Sequence, residues 1–170
     1  MSTTDYINKF KQAIMDRFRE VNADRGHVLP QAWLTPYLTK KKNVKHKAFF
    51  EPAMQQLQAE NLIKFKAKAH YHIKLTQQGE DYLYPNFTVT DAKLKIRNDI
   101  FAKFKTNQNK TITESWLGGP YFGRLNPKEQ RIFHDVIENL FTEQLVTTSL
   151  LKNFMYLTEK GEKLMSETRI

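Results

Sequence analysis

Apolar residues recur at helical spacing near the start of the chain and again past its midpoint. In the first stretch they stand four positions apart, at Tyr6, Phe10, Ile14 and Phe18. In the second stretch the corresponding residues are Leu94, Ile100 and Phe104. A period near 3.6 residues is typical of a helix with one buried face, so each stretch predicts an amphipathic helix.

A longer apolar pattern follows in each half of the chain. The later one opens with Asn126 as an N-cap, a proline next to it and Glu129 in the first turn, which together indicate a helix start. Its apolar stripe consists of Ile132, Phe133, Val136, Ile137, Leu140 and Phe141. The earlier one starts near Val44 and has the apolar residues Phe49, Phe50, Met54 and Leu57. Pro52 lies inside it and predicts a kink or a late helix start.

After each of these helices the apolar period changes from 3.6 to 2. Residues 62–68 and 71–75 alternate between apolar and polar, and residues 145–148 and 154–157 repeat the pattern more briefly. Two short alternating stretches with a tip between them predict a β-hairpin in each half. A threonine after each hairpin predicts the N-cap of a closing helix, and Glu80 is expected on the surface of the first one.

The two halves also repeat each other residue by residue. Trp33-Leu34 recurs 83 positions later, and the segment Leu75-Thr76-x-x-Gly79-Glu80 recurs 82 positions later. The repeated copies are Trp116-Leu117 and Leu157-Thr158-x-x-Gly161-Glu162. A short helix is predicted around each tryptophan, with Pro30 as the first helical residue in one copy and Thr113 as the N-cap in the other. Order and spacing kept over a whole unit indicate an internal duplication.

The duplication divides the chain into two predicted domains, 1–85 and 91–170, joined by a linker at 86–90. Thr90 or Asp91 is the expected N-cap after the linker. Each domain then has the order helix, short strand, helix, helix, hairpin, helix. The predicted fold class is therefore mainly α with small β-hairpins (α+β), in two tandem copies.

This order of elements resembles that of winged helix-turn-helix domains. The leucine–threonine–x–x–glycine–glutamate segment after the hairpin is similar to the segment that follows the wing in bacterial regulators of the MarR and PadR type. The resemblance covers both copies and implies two tandem winged helices. It further implies that the third helix of a domain can enter a DNA groove while the hairpin, or wing, lies beside it.

Composition narrows the classes of function that remain. The chain has 27 Lys and Arg against 18 Asp and Glu, a net charge of +9, and no cysteine. Disulfides, cysteine zinc sites, iron–sulfur clusters and thiol nucleophiles are therefore excluded. No stretch approaches the ~20 apolar residues of a membrane span, and the N-terminus lacks a signal-peptide pattern, so we expect a soluble cytoplasmic protein without membrane contact. The positive surplus favours nucleic acid as the partner.

The positive charge is concentrated in the first domain, where residues 40–74 contain nine lysines and two acidic residues. Phosphate contacts are predicted from the lysines at the start of the third helix and on the first wing strand, namely Lys40, Lys41, Lys42, Lys45, Lys47, Lys64, Lys66 and Lys68. Gln55 and Gln58 are predicted to face outward from the third helix, where glutamine can read adenine in the major groove. The competing interpretation is that these lysines are ordinary solvated surface.

The matching face of the second domain is near neutral. Its candidate DNA contacts are Arg124, Lys128 and Arg131, which stand near Asp135 and Glu138 in the sequence. Two interpretations stay open for this domain. It contacts DNA weakly, or it serves a protein partnership or self-association.

Signals for other chemistry are poor. His70 and His72 place two imidazoles on one strand face, but no third metal ligand can be nominated. The glycine-rich stretch 118–123 lacks the lysine and hydroxyl residue of a phosphate loop. We therefore expect no enzyme activity, no cofactor and no metal.

The sequence thus predicts a double-stranded DNA-binding protein, either a transcriptional regulator or a phage or plasmid control or replication protein. The alternative is a protein–protein adaptor, since tandem winged-helix subunits of chromosome-condensation complexes resemble this layout and grip a partner protein.

Overall fold

The computed structural model describes residues 2–40, 44–67, 70–107, 110–148 and 153–167. Its chain divides into two compact units, Met1–Pro85 and Asn86–Ile170. Both units consist mainly of helices with small antiparallel sheets, so the predicted α+β class is confirmed. Within the described ranges, no helix is long and apolar enough to cross a membrane.

The first unit is built from four helices and a hairpin among its described residues. The helices are α1 (Thr3–Glu20), α2 (Gln31–Lys40), α3 (Val44–Ala59) and α4 (Gln77–Leu83). Strands β1 (Ile63–Ala67) and β2 (Tyr71–Leu75) pair antiparallel. Val28 adds one further bridge to Lys74, so the chain before α2 lies against β2.

The core of the first unit joins α1, α3 and the hairpin. The buried side chains include Phe10, Ile14 and Phe18 of α1, Phe50, Met54 and Leu57 of α3, and Ile63, Ile73 and Leu75 of the strands. α3 begins at Val44, well before Pro52, so a late start is wrong. Pro52 removes one backbone hydrogen bond from α3. The burial of Phe50 and Met54, on either side of Pro52, offsets this loss.

Two further expectations for the first unit are wrong. α2 begins after Pro30, whose carbonyl accepts hydrogen bonds from Trp33 N and Leu34 N, so the proline stands before the helix and not inside it. Glu80 is fully buried rather than on the surface. The chain after α1 passes over this carboxylate, which accepts a hydrogen bond from the backbone N–H of Arg25 at 3.2 Å.

The second unit has a three-stranded sheet. Its helices are α5 (Val89–Thr106), α6 (Glu114–Trp116), α7 (Pro127–Thr142) and α8 (Glu159–Glu167), and a π-helical turn and a 3₁₀ turn lie between α6 and α7. Strands β3 (Thr111–Thr113), β4 (Val146–Thr148) and β5 (Phe154–Leu157) form an antiparallel sheet in the order β3-β5-β4. The predicted hairpin is therefore present, with one more strand beside it.

The helix caps of the second unit show which local signals are reliable. Asn126 caps α7 with a complete capping box that includes Glu129, as predicted, and the Thr113 hydroxyl accepts from Trp116 N at 3.2 Å. α5 is capped by Thr88 instead of Thr90 or Asp91, because the Thr88 hydroxyl accepts from Asp91 N. The predicted linker 86–90 therefore includes the first two residues of α5.

Not every apolar position that predicts the first helix of the second unit is buried. Ile96, Ile100 and Phe104 are fully buried, whereas Leu94 is 46% exposed. Leu94 precedes Ile96 by two positions, which turns it about 200° around the helix and away from the core. The core is completed by Phe133, Val136, Leu140, Val146 and Met155.

Each long third helix ends in the same hydrogen-bond pattern. Asn61 and Gln144 follow α3 and α7 with φ values of 60° and 57°. In each unit the next leucine N–H reaches back to the carbonyl five residues earlier, which is the Schellman arrangement. Asparagine tolerates the left-handed conformation, but glutamine is strained in it.

We expect Gln144→Gly to raise the free energy of unfolding by about 0.5–1 kcal/mol, since glycine relieves the left-handed strain at a small entropic cost. Asn61→Gly should give a smaller gain for the same reason. Urea unfolding of both variants checks this. A loss of stability in Gln144→Gly would contradict the assigned helix end.

Candidate nucleic-acid interface

One face of the β1–β2 hairpin consists of cationic and imidazole side chains. Lys64 and Lys66 of β1 are exposed and separated by the half-buried Phe65. His72 and Lys74 of β2 are exposed on the same face, because the register places Lys64 directly opposite Lys74 and Lys66 opposite His72. We call these four residues the wing face.

The wing face lacks internal compensation for its charge. Like charges directly opposite each other on neighbouring strands destabilise a hairpin, so the Lys64–Lys74 pair costs stability in the isolated protein. The ion pairs found in the described part of the chain join other side chains and leave these three lysines out. A polyanion bound here would remove the repulsion, because each ammonium would gain a phosphate neighbour.

Helix α3 presents a polar face next to the hairpin. Phe50, Met54 and Leu57 are buried, and Gln55 and Gln58 are exposed, as the apolar spacing predicts. The two glutamines differ in their contacts. The Oε1 atom of Gln58 accepts a hydrogen bond from the backbone N–H of Phe65 at 2.7 Å, so this side chain fixes the hairpin to the helix. Among the described residues, no hydrogen bond joins the Gln55 side chain to the hairpin.

The hairpin and α3 are held together as one platform. The hydroxyl of Tyr71 donates to Glu51 Oε1 at 2.9 Å, and the rings of Phe50 and Tyr71 lie 5.1 Å apart. Burial and the hydrogen bond to the carboxylate of Glu51 raise the pKa of Tyr71, so this phenol keeps its proton at neutral pH. The position of the wing face relative to Gln55 is therefore fixed by packing and hydrogen bonds.

The lysines predicted at the start of the third helix are placed only in part. Lys40 is the last residue of α2, and Lys45 and Lys47 lie in the first turn of α3 by backbone position. Lys41 and Lys42, which follow α2 in the sequence, and Lys68, which follows β1, lie outside the described residues. Their role in phosphate contact stays a prediction.

The candidate contacts of the second unit lie among mixed charges. Arg124 is exposed at the end of the 3₁₀ turn, and Arg131 is exposed on α7. The ammonium of Lys128 lies 5.4 Å from the ring centroid of Phe87. Asp135 and Glu138 are also exposed on α7, so this helix lacks a continuous cationic face.

Sequence reasoning missed Lys74 and His72 as members of the wing face. Spacing along one strand groups Lys64 with Lys66, but grouping residues across strands requires the hairpin register. The ladder runs from Ile63 opposite Leu75, and both of these side chains are buried. Matching the two buried ends of the alternating stretches would have given this register.

Neither a search for metal ligands nor comparison with known proteins indicates a further site. Within the described ranges, no group of three histidine or acidic side chains is placed to hold a metal ion. Comparisons with models of protein families, with curated proteins and with solved structures gave no match to this chain.

Proposed function

We propose that this chain is a double-stranded DNA-binding protein built of two winged-helix units from an internal duplication. A regulator of transcription, or a control or replication protein of a phage or plasmid, fits this activity. The observation that carries the proposal is the wing face, where Lys64 stands opposite Lys74 without an acidic partner. Uncompensated cations on a fixed hairpin beside a polar helix face suit the phosphates and base edges of a duplex.

The similarity of the two units supports the duplication. In each unit the hairpin is followed by a threonine whose hydroxyl accepts from a glycine N–H, at 2.9 Å for Gly79 and 3.0 Å for Gly161. Each third helix ends in the same Schellman pattern. A third strand or bridge also joins the hairpin in each unit, through Val28 in the first and β3 in the second. This is the arrangement expected of a winged helix.

In the proposed complex, α3 enters the major groove and the hairpin follows the neighbouring backbone. Gln55 reaches a base edge, because its side chain is exposed on α3. Lys64, Lys66 and Lys74 contact phosphates, which fix the position of the helix without reading sequence. Gln58 keeps the hairpin in place through Phe65.

Selection of bound duplexes from a random-sequence pool by the full chain tests this function. We expect enrichment of a short motif, with each good bidentate base contact giving ~1–3 kcal/mol of discrimination. A protein–protein adaptor would recover no duplex at moderate salt. If duplexes are recovered without an enriched motif, the protein binds DNA but does not read its sequence.

The two glutamines provide an internal comparison. Gln55→Ala should relax sequence preference at one or two base pairs with little effect on stability, since its side chain faces solvent. Gln58→Ala should lower stability by about 1 kcal/mol, because the Phe65 N–H loses its partner, and should weaken binding on all sequences alike. Repeating the selection and urea unfolding on both variants checks this. The reverse assignment of effects would contradict the geometry.

A further inference from the structure

The wing face contains one imidazole among its three ammonium groups. His72 lies in the middle of β2 with its side chain exposed. The register places it directly opposite Lys66, and Lys74 follows two positions later on the same face. Histidine is the side chain that ordinarily changes charge between about pH 5 and pH 8. A contact made by this imidazole can therefore depend on pH in a range where a lysine contact ordinarily does not.

The neighbours of His72 in the strand fix the direction in which it points. Ile73 is fully buried, and the hydroxyl of Tyr71 donates to Glu51 on the side of α3. Successive side chains of a strand point to opposite faces, so His72 points away from the core. Residues directly opposite on antiparallel strands have Cβ atoms ~4.5–5.5 Å apart. A phosphate bound to Lys66 is therefore within reach of the His72 imidazole.

The first unit offers no carboxylate to a charged His72 in its described ranges. No ion pair of these ranges includes this histidine. The nearest acidic residue of α3 that contacts the hairpin is Glu51, which accepts from Tyr71 on the opposite face. The residues of the first unit that lie outside the described ranges include no aspartate or glutamate. The counter-ion of a protonated His72 is therefore expected from a bound anion.

The other titratable groups around His72 are basic. On one side, β1 places the two lysines of the wing face next to it. On the other side of β2, Val28 forms a bridge to Lys74, and the neighbouring His27 has its ring 6.2 Å from that of Phe18. The remaining titratable residues near His72 in the sequence or at the start of α3 are His70, Lys45, His46 and Lys47. An anion that approaches this face therefore meets only groups that attract it or are neutral.

We propose that His72 is a fourth phosphate contact of the wing face, made when its imidazole is protonated, so that duplex binding strengthens as the pH falls. This inference rests on the proposed function. A phosphate beside an imidazole favours the charged form of the ring. Because coupling between two ligands is reciprocal, the proton strengthens duplex binding by the same factor. The chain then takes up a proton at His72 together with the duplex.

Titration of a labelled duplex with the full chain at about pH 5.5 and about pH 8, over a series of salt concentrations, tests the proposal. Each phosphate contact adds ~0.9 to the salt exponent, so the wild-type slope should be steeper by ~0.9 at the lower pH. At ~0.15 M salt this corresponds to about fivefold tighter binding. His72→Gln should bind at both pH values as the wild type does at the higher one. His72→Lys should bind at both pH values as the wild type does at the lower one, because its charge does not depend on pH in this range.

Control variants assign the proton to one histidine. His134 is exposed on α7 of the second unit, so His134→Gln should keep the wild-type response to pH. Circular dichroism at both pH values confirms the fold of each variant. Wild-type binding with the same salt slope at both pH values would overturn the role of His72 and leave the proposed function standing. A pH response that persists in His72→Gln and is lost in His70→Gln or His46→Gln would also overturn it. No duplex binding at either pH would overturn the proposed function itself.

Discussion

Replacement of Gly79 by alanine is expected to destabilise the first unit by ~3 kcal/mol or more, because there is no space for a methyl group. A Cβ atom at this position would overlap the carbonyl oxygen of Leu62 and lie 2.7 Å from Leu75 Cδ1. The Leu62 carbonyl cannot move freely, since it accepts a hydrogen bond from Thr76 N at 3.1 Å. The loss is large against the ~5–15 kcal/mol that stabilises a typical domain.

Gly161→Ala should have the same effect on the second unit. A Cβ atom there would overlap the carbonyl oxygen of Leu145 and lie 3.0 Å from Leu157 Cδ2. Gly118→Ala is the matched control, because nothing lies within 4 Å of the methyl position, and its effect should stay within ~0.5 kcal/mol.

Tryptophan fluorescence can report on each unit separately. The chain has two tryptophans, Trp33 in the first unit and Trp116 in the second. In a Trp116→Phe background, urea unfolding of Gly79→Ala should shift to lower denaturant, and Gly161→Ala should leave the Trp33 transition in place. Equal stability of Gly79→Ala and the parent would contradict the close packing of α4 on the hairpin.

Neutralising the wing face should weaken duplex binding by roughly 10²-fold at ~0.15 M salt, since each phosphate contact contributes ~0.9 to the salt exponent. The variant is Lys64→Gln/Lys66→Gln/Lys74→Gln, which removes the charge and keeps a flexible polar side chain at each position. Its folding should be unchanged or slightly better, because the Lys64–Lys74 repulsion is removed. Titration of a labelled duplex measures the affinity, and urea unfolding measures the stability.

A control variant separates local contact from total charge. Lys105 and Lys163 are exposed on α5 and α8 and belong to no ion pair in the described residues. Lys105→Gln/Lys163→Gln therefore removes two charges from the second unit and leaves the wing face of the first unit unchanged. If total charge governed binding, this control, which removes two charges instead of three, would show about two-thirds of the loss in binding free energy. We expect a change below about threefold, because exposed charges that make no phosphate contact are largely screened by salt at this ionic strength.

Much of the fold could be predicted from local signals in the sequence. The capping box of Asn126 and Glu129 is readable because all its atoms lie within one helical turn. The hairpins are readable because the period changes from 3.6 to 2 at Leu62 and Leu145. The sequence does not show that Thr88 and not Thr90 is the N-cap of α5, since both hydroxyls lie within one turn of Asp91.

Features that depend on packing between elements stayed hidden. Glu80 resembles any acidic residue near a helix start, and its burial follows from the path of the chain after α1. The pairing of Lys64 with Lys74 needs the strand register.

The salt dependence of duplex binding tests the central claim most directly. The logarithm of the association constant is measured against the logarithm of salt concentration for the full chain, the wing-face variant and the Lys105/Lys163 control. We expect a wild-type slope of about −3 or steeper and a wing-face slope shallower by ~2.7, with the control unchanged. Equal slopes for wild type and wing-face variant, or no duplex binding by the wild type, would contradict the assignment of the wing face to DNA.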